Sequence, residues 1–154
     1  MKSKQKTITP LIAETYLAVI KNSVGTKMFR NFFARSGGRK TDVMRGGDLS
    51  CAFYVSAVLT LFKCIKEGHC TVDSTVNDLR RSGWREVKRP RPGDVLVWAA
   101  VDFGAGEEHK HIGFYIGAGR AVSNNSRRGS PAEHDLTFGG KRKIATIFHR
   151  PKLS

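Results

Sequence analysis

Two hydrophobic rhythms divide the chain near Trp84. Before it, apolar positions recur at helical spacing; after it, they fall in short runs punctuated by Pro and Gly. Leu11, Ile12, Leu17, Val19 and Ile20 follow Thr9-Pro10, a pair that suits a helix start, so a helix is predicted to run to about Asn22. Met28, Phe29, Phe32 and Phe33 predict a second short helix over 24–34, broken by Ser36-Gly37-Gly38. A glycine turn, Arg45-Gly46-Gly47-Asp48, leads into the most apolar stretch, 48–62. Apolar residues run nearly all round that stretch, which predicts a buried central helix, capped by Asp48 or Ser50 and ended by Gly68. Residues 72–82 predict a third helix, with Asp73 or Ser74 as cap and Gly83 as stop.

Beyond Pro90, Pro92 and Gly93 the runs are strand-like. Residues 94–98 predict one strand, 111–117 a second and 120–124 a third, with Ala118-Gly119 as a hairpin turn; 144–149 predict a last strand. Residues 102–110 read as a polar glycine loop. Helices first and strands later, joined by short turns, predict an α+β fold with an antiparallel sheet. At 154 residues the chain is expected to be a single domain, with 1–40 as a helical extension and 45–150 as the core.

Charge adds a second constraint. Lys plus Arg number 27 against 13 Asp plus Glu, a net charge of +14 that favours encounter with anionic partners. The basic residues fall in scattered clusters: Arg39-Lys40, Arg80-Arg81, Lys88-Arg89, Arg127-Arg128 and Lys141-Arg142-Lys143. No apolar run is long enough to span a bilayer. The basic start at 1–6 is followed by a stretch interrupted by Glu14, Thr15 and Tyr16, which reads as a helix face; no export signal is recognised. The expected location is cytoplasmic, or the cell wall by a route without a signal peptide.

Three cysteines, Cys51, Cys64 and Cys70, do not make a disulfide framework. Cys64, His69 and Cys70 lack a second ligand pair at zinc spacing, and the glycine pairs lack phosphate-loop context, so neither metal nor cofactor is expected. Trp84 and Trp98 are expected in the core or a groove wall, and His109 in an exposed loop. Cys51 sits in the first turn of the predicted central helix, where free N–H groups and the helix dipole favour a thiolate. His111, at a strand start, is the candidate base, and Ser123, Asn124 or His134 the candidate group that orients it.

Three segments resemble NlpC-type papain-like cysteine peptidases, relatives of the CHAP amidases. Ser50-Cys51-Ala52-Phe53-Tyr54-Val55 resembles the family's nucleophile helix, Asp-Cys-Ser-Gly-Phe-Val. Arg91-Pro92-Gly93-Asp94-Val95-Leu96-Val97-Trp98 is similar to its Pro-Gly-Asp-Leu-Val-Phe-Phe strand, and His111-Ile112-Gly113-Phe114-Tyr115-Ile116-Gly117 to its His-Val-Gly-Ile-Tyr-Ile-Gly strand. The order is the family's, over about residues 45–125. The resemblance implies a papain-like fold, Cys51 as nucleophile, His111 as general base and an oxyanion hole partly built from the Cys51 N–H. The family's third residue is His, Asn or Gln, and the matching position is Ser123, with Asn124 beside it. Ser50 stands for the family's Asp, and Ala52-Phe53 for its Ser-Gly, so the chain departs from the pattern on both sides of the nucleophile. The activity implied is hydrolysis of peptidoglycan stem peptides, an anionic substrate. The competing expectation is a basic non-enzymatic domain that binds nucleic acid, as the charge suggests, or an anionic wall polymer, on a degenerate papain-like scaffold.

Overall fold

The computed structural model describes residues 1, 4–102 and 106–153. In chain order these form α1 (Ile12–Asn22), β1 (Phe33–Ser36), β2 (Arg39–Asp42), α2 (Cys51–Leu61), α3 (Val72–Arg81), β3 (Arg85–Val87), β4 (Val95–Asp102), β5 (Glu108–Gly117), β6 (Arg120–Asn125), β7 (Ser130–Asp135) and β8 (Ile144–His149). A six-stranded antiparallel sheet has the order β3-β8-β4-β5-β6-β7, and β1-β2 form a separate hairpin. The fold is α+β, with helices before the sheet. Among the described residues, no helix is long and apolar enough to cross a membrane.

The main core lies between α2 and one sheet face. Tyr54, Val55, Val58 and Leu59 of α2 pack with Val95, Val97, Ile112, Phe114 and Val122 of β4–β6. Helix α1 joins this core through Tyr16 and Ile20, both fully buried, and the Tyr16 hydroxyl donates to the Gly93 carbonyl at 2.7 Å. That bond fixes the Pro92-Gly93-Asp94 turn. The buried Asp94 carboxylate accepts from the Arg91 N–H at 2.8 Å and pairs with His149 Nδ1 at 2.6 Å, tying the start of β4 to the end of β8. A smaller cluster of Leu96, Trp98, Ala121 and Ile147 covers the opposite face, with Tyr115, Leu136, Phe138 and Ile144 against it.

Several elements differ from expectation. The segment expected as a short helix over 24–34 is turns followed by β1. Two left-handed glycines, Gly37 and Gly38 (φ 55° and 78°), turn the chain back as a hairpin, and the Asp42 carboxylate accepts from the N–H groups of Phe32, Met44 and Gly46. Phe29 and Phe32 instead pack their rings on Phe53, at 6.0 and 5.2 Å. Helix α2 ends at Leu61, well before Gly68. Lys63 takes the left-handed conformation (φ 55°), and the N–H groups of Lys63 and Cys64 return to the carbonyls of Thr60 and Leu59, a Schellman stop built without glycine. Helix α3 is capped by Thr71, whose hydroxyl accepts from the Ser74 N–H at 3.1 Å, in place of Asp73 or Ser74. Part of the expected loop at 102–110 is strand, since β5 begins at Glu108; residues 103–105 lie outside the described residues.

Candidate active site

Cys51 is the first residue of α2 and is half-buried against the core. Its own N–H and that of Ala52 are free of helical partners, as first-turn groups are, and both favour the thiolate, as does the N–H of Ile112. The β5–β6 ladder explains why the Ile112 N–H is available. Its pairing begins at Gly113↔Ser123, so Ile112 lies beyond the last rung, where the strands part. The turn before Cys51 is seated in that parting: Asn124 Nδ2 donates to the Gly47 carbonyl at 2.8 Å on the β6 side, and the Ile112 N–H acts on the sulfur from the β5 side. Gly47 (φ 101°) is also pressed on Gly129, so close that a Cβ on Gly47 would lie 2.5 Å from the Gly129 Cα.

His111 stands on the sheet face opposite the main core, as strand alternation from the core residues Ile112 and Phe114 requires. Ser123 occupies the diagonal position on β6 and His134 the next diagonal on β7. The side chains meet in a row: His111 Nε2 to Ser123 Oγ at 2.8 Å, Ser123 Oγ to His134 Nε2 at 2.7 Å, and His134 Nδ1 to the Asp135 carbonyl at 2.6 Å. Gly113 makes the row possible, because a Cβ there would lie 2.6 Å from Ser123 Cβ. Trp98 packs against both imidazoles, with ring centroids 5.4 and 5.5 Å away, and Phe138 stacks on His134 at 3.9 Å.

The loop between β7 and β8 covers this row. The Asp135 carboxylate accepts from the N–H groups of Thr137 and Gly139, and the Arg142 N–H returns to the Thr137 carbonyl at 2.9 Å. The loop thereby delivers Phe138 to the row and buries Arg142, whose charge acts on both Cys51 and His111.

Burial favours the neutral form of the sulfur and of both imidazoles. Burial pushes the Cys51 thiol above its ordinary value, against the opposing pull of the Ile112 and Ala52 N–H groups and of Arg142. Burial, with Arg142 and His134 adding to it, pulls His111 down to about 3. The thiolate expected from the helix dipole alone is thus outweighed by desolvation.

Of the expected site residues, His111, Ser123 and His134 are joined by hydrogen bonds, and Asn124 is turned to the nucleophile turn. Cys51 meets the row through its Ile112 and Arg142 neighbours; among the described residues no hydrogen bond joins its sulfur to the His111 ring. Arg142 and Phe138 were not singled out from the sequence. Arg142 stood there as one of three consecutive basic residues, and nothing local marked it as the buried one. Phe53 and Ser50, the departures from the family pattern, serve packing: Phe53 receives Phe29 and Phe32, and Ser50 is fully buried with its hydroxyl unpartnered.

No protein-family profile matches the chain, and no curated protein matches it in sequence. Solved structures do. NlpC2 from Trichomonas vaginalis superposes with a TM-score of 0.55 at 15% identity, covering 96% of this chain and 52% of that one. NlpC1 from the same organism superposes with a TM-score of 0.56 at 17% identity, covering 97% of this chain and 49% of that one. The chain spans about half the length of these structures. With the sheet order, the helix that opens on Cys51 and the strand that carries His111 already described, the chain has the NlpC-type papain-like fold.

Proposed function

We propose that the protein is a cysteine hydrolase that cleaves an amide through an acyl-enzyme on Cys51. The observation that carries this reading is the seating of the sulfur at the start of α2, under the Ile112 N–H, next in the chain to an imidazole whose far nitrogen is already held by Ser123. Because Nε2 of His111 is engaged, Nδ1 is the nitrogen left to take a proton from the thiol. In the forward step Cys51 Sγ bonds to the substrate carbonyl carbon while its proton passes to His111 Nδ1. The developing oxyanion is met by the Cys51 N–H at the helix start. Collapse breaks the C–N bond, and His111 returns the proton to the leaving amine. Water, deprotonated by the same imidazole, then releases the acid and restores the thiol.

A neutral resting pair suits this sequence, since the proton moves only when substrate is present. The substrate class favoured is a peptide bearing carboxylates, of the peptidoglycan stem-peptide type. Support comes from basic charge beside the nucleophile turn: Arg30 donates to the carbonyls of Arg128 and Gly129, at 2.8 and 3.0 Å, and Gly129 lies against Gly47, which sets the Arg30 guanidinium next to that turn. The test is digestion of purified peptidoglycan fragments by the wild type and by Cys51→Ala, with products identified by mass. New amine termini formed only by the wild type support the reading; equal product from both proteins refutes it. The same basic charge supports the second reading, a non-catalytic domain for an anionic polymer. Salt-sensitive binding of DNA, RNA or wall polymer by a protein that cleaves nothing is the result that favours it.

A further inference from the structure

The row of hydrogen bonds through Ser123 has a direction, and its far end sets it. The Asp135 carbonyl can only accept, so the bond at 2.6 Å places a proton on His134 Nδ1. A neutral imidazole carries one proton, so His134 Nε2 is bare and accepts from the Ser123 hydroxyl at 2.7 Å. That hydroxyl has a single proton. With it committed to His134, Ser123 Oγ can only accept from its other neighbour, His111 Nε2, at 2.8 Å. His111 then bears its proton on Nε2 and a lone pair on Nδ1, the tautomer a thiol needs in order to be deprotonated there.

We propose that His134 is a positioning residue which, through Ser123, holds His111 in the tautomer that makes Nδ1 a base, and that protonation of His134 reverses the row and switches that base off. The inference rests on the reading of Cys51 and His111 as nucleophile and base. When His134 gains a proton on Nε2, that nitrogen must donate to Ser123. The Ser123 proton then turns to His111 Nε2, and the proton of His111 moves to Nδ1, where it blocks the thiol. No net charge is placed on His111 by this reversal. The groups that face His134 are Glu133 and Asp135 on its own strand, Arg120 and Ser123 on β6, His111 on β5, and the rings of Trp98 and Phe138. Burial holds His134 below its ordinary value and Arg120 adds to this, while Asp135 and Glu133 oppose it. Burial also holds His111 down, to about 3, and the order in which the two imidazoles take up protons is read in the titration below.

The test reads protons directly. The full chain, labelled with 15N at histidine, is followed by long-range 1H–15N correlation from pH 8 downward. The proposal predicts Nε2–H with bare Nδ1 for His111 at pH 8, and the reverse pattern for His111 once His134 is protonated. His111 carrying its proton on Nδ1 at pH 8, or keeping one tautomer across the titration of His134, overturns it. This readout needs no turnover, so it stands or falls apart from the hydrolase reading. A protein that cleaves amides with His111 in the wrong tautomer sinks the proposal and leaves that reading intact. In a kinetic arm, His134→Phe removes the acceptor and lowers kcat/KM by at least about tenfold, between the loss of an outer-shell histidine partner and the roughly 10⁴-fold cost of a wrong tautomer. In His134→Gln the side-chain carbonyl can accept from Ser123 but does not titrate, so activity is largely retained and its acid limb moves to lower pH. An unmoved acid limb in a folded His134→Gln protein overturns the switch.

Discussion

Gly113→Ala is the substitution whose cost can be worked most directly from the structure. Gly113 lies between His111 and the core strand residues, paired with Ser123. An added Cβ would stand 2.6 Å from Ser123 Cβ, 2.7 Å from the Val122 carbonyl oxygen and 3.1 Å from the Trp98 ring. Two of these neighbours are backbone or Cβ atoms that cannot swing aside. Relief to an ordinary carbon contact of about 3.5 Å therefore moves β6 away by several tenths of an ångström at least. The His111–Ser123 bond across β5 and β6, now 2.8 Å, stretches toward the limit of useful hydrogen bonding. Overpacking of this kind costs about 1–3 kcal/mol, or a fall in Tm of roughly 2–12 °C for a chain this size. Gly68→Ala is the control. Its nearest neighbour is Ser56 Oγ at 4.0 Å, so a methyl group fits there. Differential scanning calorimetry measures stability, and the rate of Cys51 alkylation, mapped by mass, measures the site. Gly113→Ala is expected to lose both and Gly68→Ala neither. Wild-type stability and alkylation in Gly113→Ala would show that Ser123 is not held against β5 as described.

Asn124→Ala leaves the buried Gly47 carbonyl without its donor, at a cost of about 1–3 kcal/mol, and loosens the nucleophile turn; urea unfolding and Cys51 alkylation should both register it. Arg142→Gln removes a charge that favours the Cys51 thiolate and disfavours the His111 imidazolium, so both titrations should move upward in pH, read by alkylation rate and by histidine NMR. Acid should destabilise the fold through His111. Unfolded, it binds a proton near the usual 6.5; folded, near 3, so between those values the unfolded state holds more protons and stability falls as pH drops. The slope of Tm against pH in that window should flatten in His111→Gln.

The elements that hold the candidate site were legible because their signals are local. The apolar run after Gly47 forms α2, and the alternation from His111 to Gly117 forms the strand beneath it. What was missed lacks a local signal. Lys63 stops α2 in a left-handed conformation that sequence habit assigns to glycine. β7 contains Pro131 and little apolar alternation, yet it forms because it is the sheet edge, where a missing N–H is tolerated. The third member of the site was open among Ser123, Asn124 and His134, because one residue of register decides which face each occupies. The observed pairing places Ser123 and His134 in one row and sends Asn124 to Gly47. Desolvation of Cys51 could not be read from its place at a helix start, since it depends on what the β7–β8 loop and β5 bring over it.

Pairing of the Cys51 sulfur with the His111 imidazole is most directly tested by alkylation with iodoacetamide at pH 7, resolved by peptide mass for each cysteine, in the wild type and in His111→Gln. Cys70, also half-buried and with its thiol raised by burial, is the internal reference. The expected result is a Cys51 rate, taken relative to Cys70, that falls in His111→Gln, because His111 is the base that takes the thiol proton. A Cys51 rate indifferent to His111 would contradict the pairing.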